Sequence, residues 1–147
     1  MTERPDPGPL IFVHGASSAG KTTLACAVLL QADRPFWHLS IDHMRDSGDW
    51  DMHILRQRAR WRDHRATYFD GFHAALAAIL RCGNAVLLEH ILETPGWHAD
   101  LRRRLSGQDV FFVALHTPRE VLEHRETIRG DRPTGSASLR NSRRMCS

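Results

Sequence analysis

The sequence contains few cysteines and no apolar run long enough to cross a membrane. Cys26, Cys82 and Cys146 are odd in number, far apart and without C-x-x-C spacing. They predict neither a disulfide framework nor a zinc site, and they favour a reducing compartment. A membrane-spanning helix needs roughly 20 apolar residues, and the proline-rich residues 1–9 do not resemble a signal peptide. We therefore expect a cytoplasmic protein with no membrane partner.

The charge is also too weak to predict a nucleic-acid partner. The formal net charge is only +3, and the arginines are dispersed along the chain apart from a short basic tail. The ten histidines show no H-E-x-x-H or similar ligand spacing, so no metal site is expected from them. The 147 residues, 41% of them hydrophobic, are typical of one domain with a single core.

Apolar runs of strand length alternate with segments of helical periodicity. Strands are predicted at 10–14, 36–41, 85–88 and 110–115, and helices at 21–31, 55–82, 95–105 and 118–128, with a loop or short helix over 43–54. Uninterrupted apolar strands that alternate with helices predict an α/β fold, in which helices cover both faces of a parallel sheet. Residues 1–9 are expected to form a flexible lead, 10–135 the domain, and 136–147 an irregular basic tail.

The most specific motif is a phosphate-binding loop, G-x-x-x-x-G-K-[ST]. It is preceded by an apolar strand and followed by a helix, which is the context that the motif requires. The loop backbone and the helix N-terminus suit a polyphosphate. Lys21, the only lysine of the chain, would contact the β- and γ-phosphates, and Thr22 would ligate Mg²⁺. The expected nucleotide contacts are Gly15, Ala16, Ser17, Ser18, Ala19, Gly20, Lys21, Thr22 and Thr23.

Two acidic residues end predicted strands, and the carboxyl ends of parallel strands are where such sheets bind ligands. We expect Asp42, Glu89 and the loop from Gly15 to converge there. Asp42 would accept the proton of an acceptor hydroxyl; the alternatives are a solvated acid or a helix N-cap. Glu89 would hold Mg²⁺ through water, although a short apolar strand that ends in glutamate is common.

A second motif lies near the end of the predicted domain, at residues 125–132. Arg125 and Arg129 share a helix face, and Arg132 follows where the helix breaks. These arginines either fold over the phosphates and stabilise the transferring group, or belong to an ion-paired surface helix. Spacing alone favours neither.

The loop Gly15–Thr22, the strand ending at Asp42 and the motif R-E-T-x-R-G-D-R together resemble the chloramphenicol phosphotransferase-like family of small P-loop kinases. The resemblance spans about residues 10–135 and implies a nucleoside-kinase-like sheet ordered 2-3-1-4-5. It implies transfer of the γ-phosphate of ATP to a hydroxyl of a small molecule, either a chloramphenicol-like antibiotic or another small alcohol. Asp42 would be the base, Lys21 and Thr22 the phosphate and Mg²⁺ contacts, and the three arginines the lid.

The C-terminal residues depart from the family pattern. Family members continue through a helix, a fifth strand and a final helix, whereas residues 134–147 show no apolar periodicity. We therefore expect the last strand and helix to be missing, as in a truncated reading frame. That would leave an open sheet edge and weak nucleotide affinity.

Two other functions remain open at this stage. The first is a nucleotide-binding remnant or regulatory P-loop protein without phosphotransfer. The second is a nucleotide-hydrolysing switch that acts on a partner protein, although the chain has no N-K-x-D motif. Neither the acceptor nor the oligomeric state follows from the sequence.

Overall fold

The computed structural model describes residues 6–55 and 57–130. The tail, with Arg132, lies outside the described residues. The strands are β1 Leu10–Gly15, β2 Phe36–Ser40, β3 Ala85–His90 and β4 Val110–Leu115. The helices are α1 Lys21–Gln31, α2 Ile41–Ser47, α3 Met52–Leu55, α4 Arg58–Arg81, α5 Trp97–Arg104 and α6 Arg119–Gly130.

The four strands form a parallel sheet in the order β2-β3-β1-β4. This confirms the α/β fold, and the order matches the first four positions of the expected 2-3-1-4-5 sheet. All six residues of β3 are buried, as a strand inside a sheet covered on both faces must be. The carboxyl ends of β1, β2 and β3 therefore lie side by side at the same end of the sheet.

Alternate residues of the strands supply two separate parts of the core. Leu10 and Phe12 of β1, with Val86 and Leu88 of β3, pack against α4 and α5. The intervening side chains of Val13 and Leu87 pack instead beside Ala25 of α1. A fully buried leucine or phenylalanine contributes roughly 1.5–3 kcal/mol of transfer free energy. These contacts therefore stabilise the packing of helices against both faces of the sheet.

The prediction for β4 was correct in extent, and apolar side chains of this strand are exposed at the edge of the described sheet. Phe111 and Phe112 are 70% and 50% exposed, because β4 is an edge strand among the described residues. A continuous apolar run predicts a strand but does not tell where in the sheet that strand lies. Within the described part of the chain, no helix combines the length and apolar character of a membrane span.

Candidate active site

The loop between β1 and α1 has the backbone of a phosphate cradle. Ser18 and Gly20 have positive φ angles of 61° and 99°, so successive N–H groups can turn toward one hollow at the start of α1. Gly15 packs closely against β4: a Cβ there would lie 3.0 Å from the carbonyl oxygen of Leu115, which would have to shift by a few tenths of an ångström. The loop is therefore shaped by its glycines and by the neighbouring strand.

Lys21 folds back over this loop. Its Nζ donates hydrogen bonds to the carbonyl oxygens of Gly15, at 3.0 Å, and Ala16, at 2.8 Å. Its side chain also lines a cavity of about 150 Å³. The only lysine of the chain thus places its ammonium between the loop and the cavity.

Two side chains fasten the loop from the other side. Thr117, after β4, donates a hydrogen bond to the carbonyl oxygen of Ala19 at 3.1 Å. Arg125 of α6 reaches the loop and donates to the carbonyl oxygen of Ser18 at 3.0 Å. Arg129 lies on the same helix. The lid role of these arginines stays a prediction, but Arg125 is already beside the phosphate loop.

Thr22 and Glu89 are in direct contact. The hydroxyl of Thr22 donates to Oε2 of Glu89 at 2.7 Å, and Nε2 of His38 lies 2.6 Å from Oε1. Glu89 is buried within β3 rather than after it. Burial acts to raise the pKa of Glu89, but the hydrogen bonds from His38 and Thr22 outweigh it and hold the pKa below its ordinary value. Glu89 is therefore a carboxylate with both oxygens occupied by donors.

Sheet register explains why His38 meets Glu89. Ser40 is the partner of Glu89 across β2 and β3, and His38, two residues earlier, points to the same face. His43 follows on α2, and its ring packs edge-on against His38 with centroids 4.6 Å apart. Burial, followed by the nearby His38, lowers the pKa of His43. His38, His43 and Glu89 offer ligand atoms within 4.8 Å of one another, a cluster that residue spacing along the chain did not reveal.

Asp42 lies in the first turn of α2, and its side chain is 68% exposed. Oδ1 of Asp42 pairs with Nη1 of Arg45 at 2.9 Å. Asp42 lines the same cavity as Lys21 and Glu89, so the three predicted site residues surround one space. Their chemical roles stay predictions.

The opposite wall of the cavity is aromatic. Phe69 of α4 and Trp97 of α5 stack with ring centroids 4.2 Å apart, and both line the cavity. The Arg65 guanidinium covers both rings, at 5.0 Å and 4.6 Å, and donates to Glu93 at 2.8 Å. Arg65, Glu93 and Trp97 were not singled out from the sequence.

Four other aromatic residues of this region do not line the cavity: Trp50, Trp61, Tyr68 and Phe72. Phe72 belongs to the core between α4 and the sheet. Trp50 is buried and packs against Tyr68 and Trp61. The helical spacing of Trp61, Tyr68 and Phe72 along α4 thus reflects packing.

At the cavity, a hydrogen-bonded series of side chains runs from the buried His90 through the buried His73 to the partly exposed Asp100. Nδ1 of His90 accepts the N–H of Ile91 at 3.0 Å, so Nε2 carries the hydrogen and donates to Nε2 of His73 at 2.9 Å. The other nitrogen of His73 donates to Asp100 at 3.2 Å. Burial lowers the pKa of His73, and burial followed by the neighbouring His73 lowers that of His90 to about 3. Both imidazoles are therefore neutral at ordinary pH.

Comparisons with known proteins show the family of the chain. A family model described as chloramphenicol phosphotransferase-like protein matches residues 8–144. Two curated proteins from Mycobacterium tuberculosis strains CDC 1551 / Oshkosh and ATCC 25618 / H37Rv, both named as candidate O-phosphotransferases, are 30% identical over 87% of this chain. The chain spans 66% of the length of these relatives.

Solved structures of low sequence identity share the fold. An APS kinase from Mycobacterium tuberculosis is 21% identical with a TM-score of 0.55, and the match covers 86% of this chain and 97% of that one. A sugar kinase from Janibacter sp. HTCC2649 is 19% identical with a TM-score of 0.52, covering 82% and 67%. This likeness shows that the chain has a P-loop NTPase fold.

Proposed function

The chain belongs to the chloramphenicol phosphotransferase-like family, and from this premise we propose that it transfers the γ-phosphate of ATP to a hydroxyl of a small molecule. One observation carries the proposal: Lys21, the lysine of the phosphate-loop motif, and Asp42 line a common cavity. A polyphosphate donor and an alcohol acceptor would meet in that space. A chloramphenicol-like antibiotic is one acceptor of this class, and other small alcohols are equally suited.

The loop supplies the groups that a triphosphate needs. Its backbone N–H groups and the N-terminus of α1 attract phosphate oxygens, and the Lys21 ammonium adds a full positive charge. Arg125, which donates a hydrogen bond to the carbonyl of Ser18, would offset charge on the transferring group. Arg129 and Arg132 are proposed to assist it from the same segment.

The donor set beside the loop fits Mg²⁺. Thr22 offers a hydroxyl oxygen, and Glu89, 2.7 Å away, offers a carboxylate; both are ligand types that Mg²⁺ accepts, directly or through water. When bound, the ion neutralises charge on the β- and γ-phosphate oxygens. Thr22 and Glu89 would fix its position relative to Lys21.

Asp42 is the proposed base. As the acceptor oxygen bonds to the γ-phosphorus, the bond between that phosphorus and the β–γ bridging oxygen breaks and ADP departs. The hydroxyl proton passes to the Asp42 carboxylate. Arg45 pairs with Asp42 at 2.9 Å and orients it. The rings of Phe69 and Trp97 form a wall against which the apolar part of the acceptor can lie.

The first test is nucleotide binding. We expect Mg-ATP at a hundred times its Kd to stabilise the chain by roughly 2.7 kcal/mol, which is a rise of several degrees in melting temperature. Lys21→Ala should remove the rise. A rise that persists in Lys21→Ala would place the nucleotide elsewhere.

The second test is transfer to a panel of hydroxyl compounds. Asp42→Asn should abolish transfer and leave the Mg-ATP shift largely unchanged. Asp46→Asn is the matched control, because Asp46 is also exposed on α2 and also pairs with Arg45. Equal loss of binding and transfer in Asp42→Asn would refute its role. Nucleotide binding without transfer to any compound would support a nucleotide-binding or regulatory protein instead.

A further inference from the structure

The cluster of His38, His43 and Glu89 contains two imidazoles, a ligand type that a magnesium site does not need. The three side chains come from β2, α2 and β3, and their ligand atoms all lie within 4.8 Å of one another. We propose that these three residues bind a divalent transition-metal ion, of the Mn²⁺, Co²⁺ or Zn²⁺ class, directly beside Thr22. This goes beyond the proposed phosphotransfer, since the site binds its ion without nucleotide.

The donor set selects the class of ion. Mg²⁺ prefers oxygen ligands and a shell of water, whereas imidazole nitrogen suits Zn²⁺, Co²⁺ and related ions. Two imidazoles with one carboxylate are a common three-ligand set, in which further positions stay open to water or a substrate oxygen. A single carboxylate beside Thr22 would have been sufficient for Mg²⁺.

The geometry needs only small adjustments. Ligand atoms bound at about 2.1 Å lie roughly 3–4 Å apart around one ion. The cluster already lies near that range, with Nε2 of His38 and Oε1 of Glu89 at 2.6 Å. The ion would replace the hydrogen that these two atoms share, and His38 would carry its hydrogen on Nδ1. The longer separations must contract by about 1 Å.

His43 provides an independent argument. Its Nε2 atom is buried and has no hydrogen-bond partner among the described residues. A buried nitrogen without a partner costs roughly 1–3 kcal/mol. Packing alone does not explain why a histidine occupies this position, since a phenylalanine would fill it without that cost. Coordination would supply the missing partner.

At this position beside Thr22, the ion would also contribute to nucleotide binding. Glu89 touches both the Thr22 hydroxyl and His38, so an ion held here would be near the expected β- and γ-phosphates. If the proposed phosphotransfer holds, nucleotide should bind more tightly with Mn²⁺ than with Mg²⁺, because Mn²⁺ accepts nitrogen ligands more readily.

The decisive experiment is a titration of the tag-free full chain with Co²⁺ in the absence of nucleotide. Binding is monitored by visible absorption and by calorimetry. We expect one Co²⁺ per chain with absorption bands of a nitrogen- and oxygen-ligated ion. Zn²⁺ should displace it, and a large excess of Mg²⁺ should not. Displacement by Mg²⁺ as readily as by Zn²⁺ would overturn the proposal.

Matched variants assign the site. His43→Phe keeps a ring and removes the unpartnered nitrogen, so it should fold with unchanged or higher stability while Co²⁺ affinity falls by at least about tenfold. His98→Phe, on the exposed side of α5, should bind like the native chain. Unchanged affinity in His43→Phe, or an equal loss in His98→Phe, would refute the assignment. A Mg-ATP shift measured on the same proteins tests the phosphotransfer proposal separately.

Discussion

Replacing His90 with asparagine should reduce the loss of stability that acid causes. His90 is 4% exposed and has a pKa of about 3 in the folded protein, against about 6.5 in an unfolded chain. At pH values between these two, the unfolded state binds the additional proton. The free energy of unfolding therefore falls as the pH falls through this window, and His90 adds no pH dependence above it.

The magnitude follows from the two pKa values. Well inside this window, the free energy of unfolding falls by about 1.4 kcal/mol for each pH unit. Between about pH 7.5 and about pH 5, His90 alone lowers it by about 2 kcal/mol in total. For a chain of this length, that is a fall of roughly 8 °C in melting temperature. Burial also lowers the pKa of His73, and hydrogen bonds hold the pKa of Glu89 below its ordinary value. These two groups therefore also make the free energy of unfolding fall as the pH falls.

The assay is urea unfolding in EDTA at several pH values, for the native chain and His90→Asn. The asparagine oxygen can still accept the Ile91 N–H that Nδ1 of His90 now accepts. The variant should be less stable at neutral pH, because Nε2 of His73 loses its donor. Its decline from neutral to acid pH should nevertheless be smaller by about 2 kcal/mol. His98→Asn, which alters an exposed histidine, should decline like the native chain.

Equal declines in the native chain and His90→Asn would refute the reasoning. That result would mean that His90 is charged in the folded protein, or that His90 and His73 are not buried in solution.

Two further predictions concern shape and packing. Gly15→Ala should reduce the Mg-ATP melting shift, because the new Cβ would lie 3.0 Å from the backbone oxygen of Leu115 and displace the loop from β4. Gly71→Ala, a helical control with open space around it, should keep the shift and gain up to about 1 kcal/mol of stability. Arg65→Ala should lose about 1 kcal/mol in urea unfolding through the two ring contacts, and an unchanged stability would show that the guanidinium does not rest on the rings in solution.

Local patterns predicted most of the fold. The extent of α1, from Lys21 to Gln31, is confirmed, and so is that of β4. Other boundaries differ by a few residues: α4 begins at Arg58 rather than at 55, and β3 continues to His90. Sequence periodicity predicts the ends of helices and strands less accurately than their presence, because the ends depend on contacts that the periodicity does not encode.

The sequence alone determined the phosphate loop, because its motif carries Gly15 and Gly20 at fixed spacing between a strand and a helix. It also placed Asp42 and Glu89 at strand ends, where parallel topology brings side chains together. The tertiary structure decided their neighbours. His38 meets Glu89 only through the register of β2 against β3, and His90 meets His73 only because α4 packs across the sheet. Contacts between residues so distant in sequence leave no periodic signal, since they depend on how elements pair rather than on which elements form.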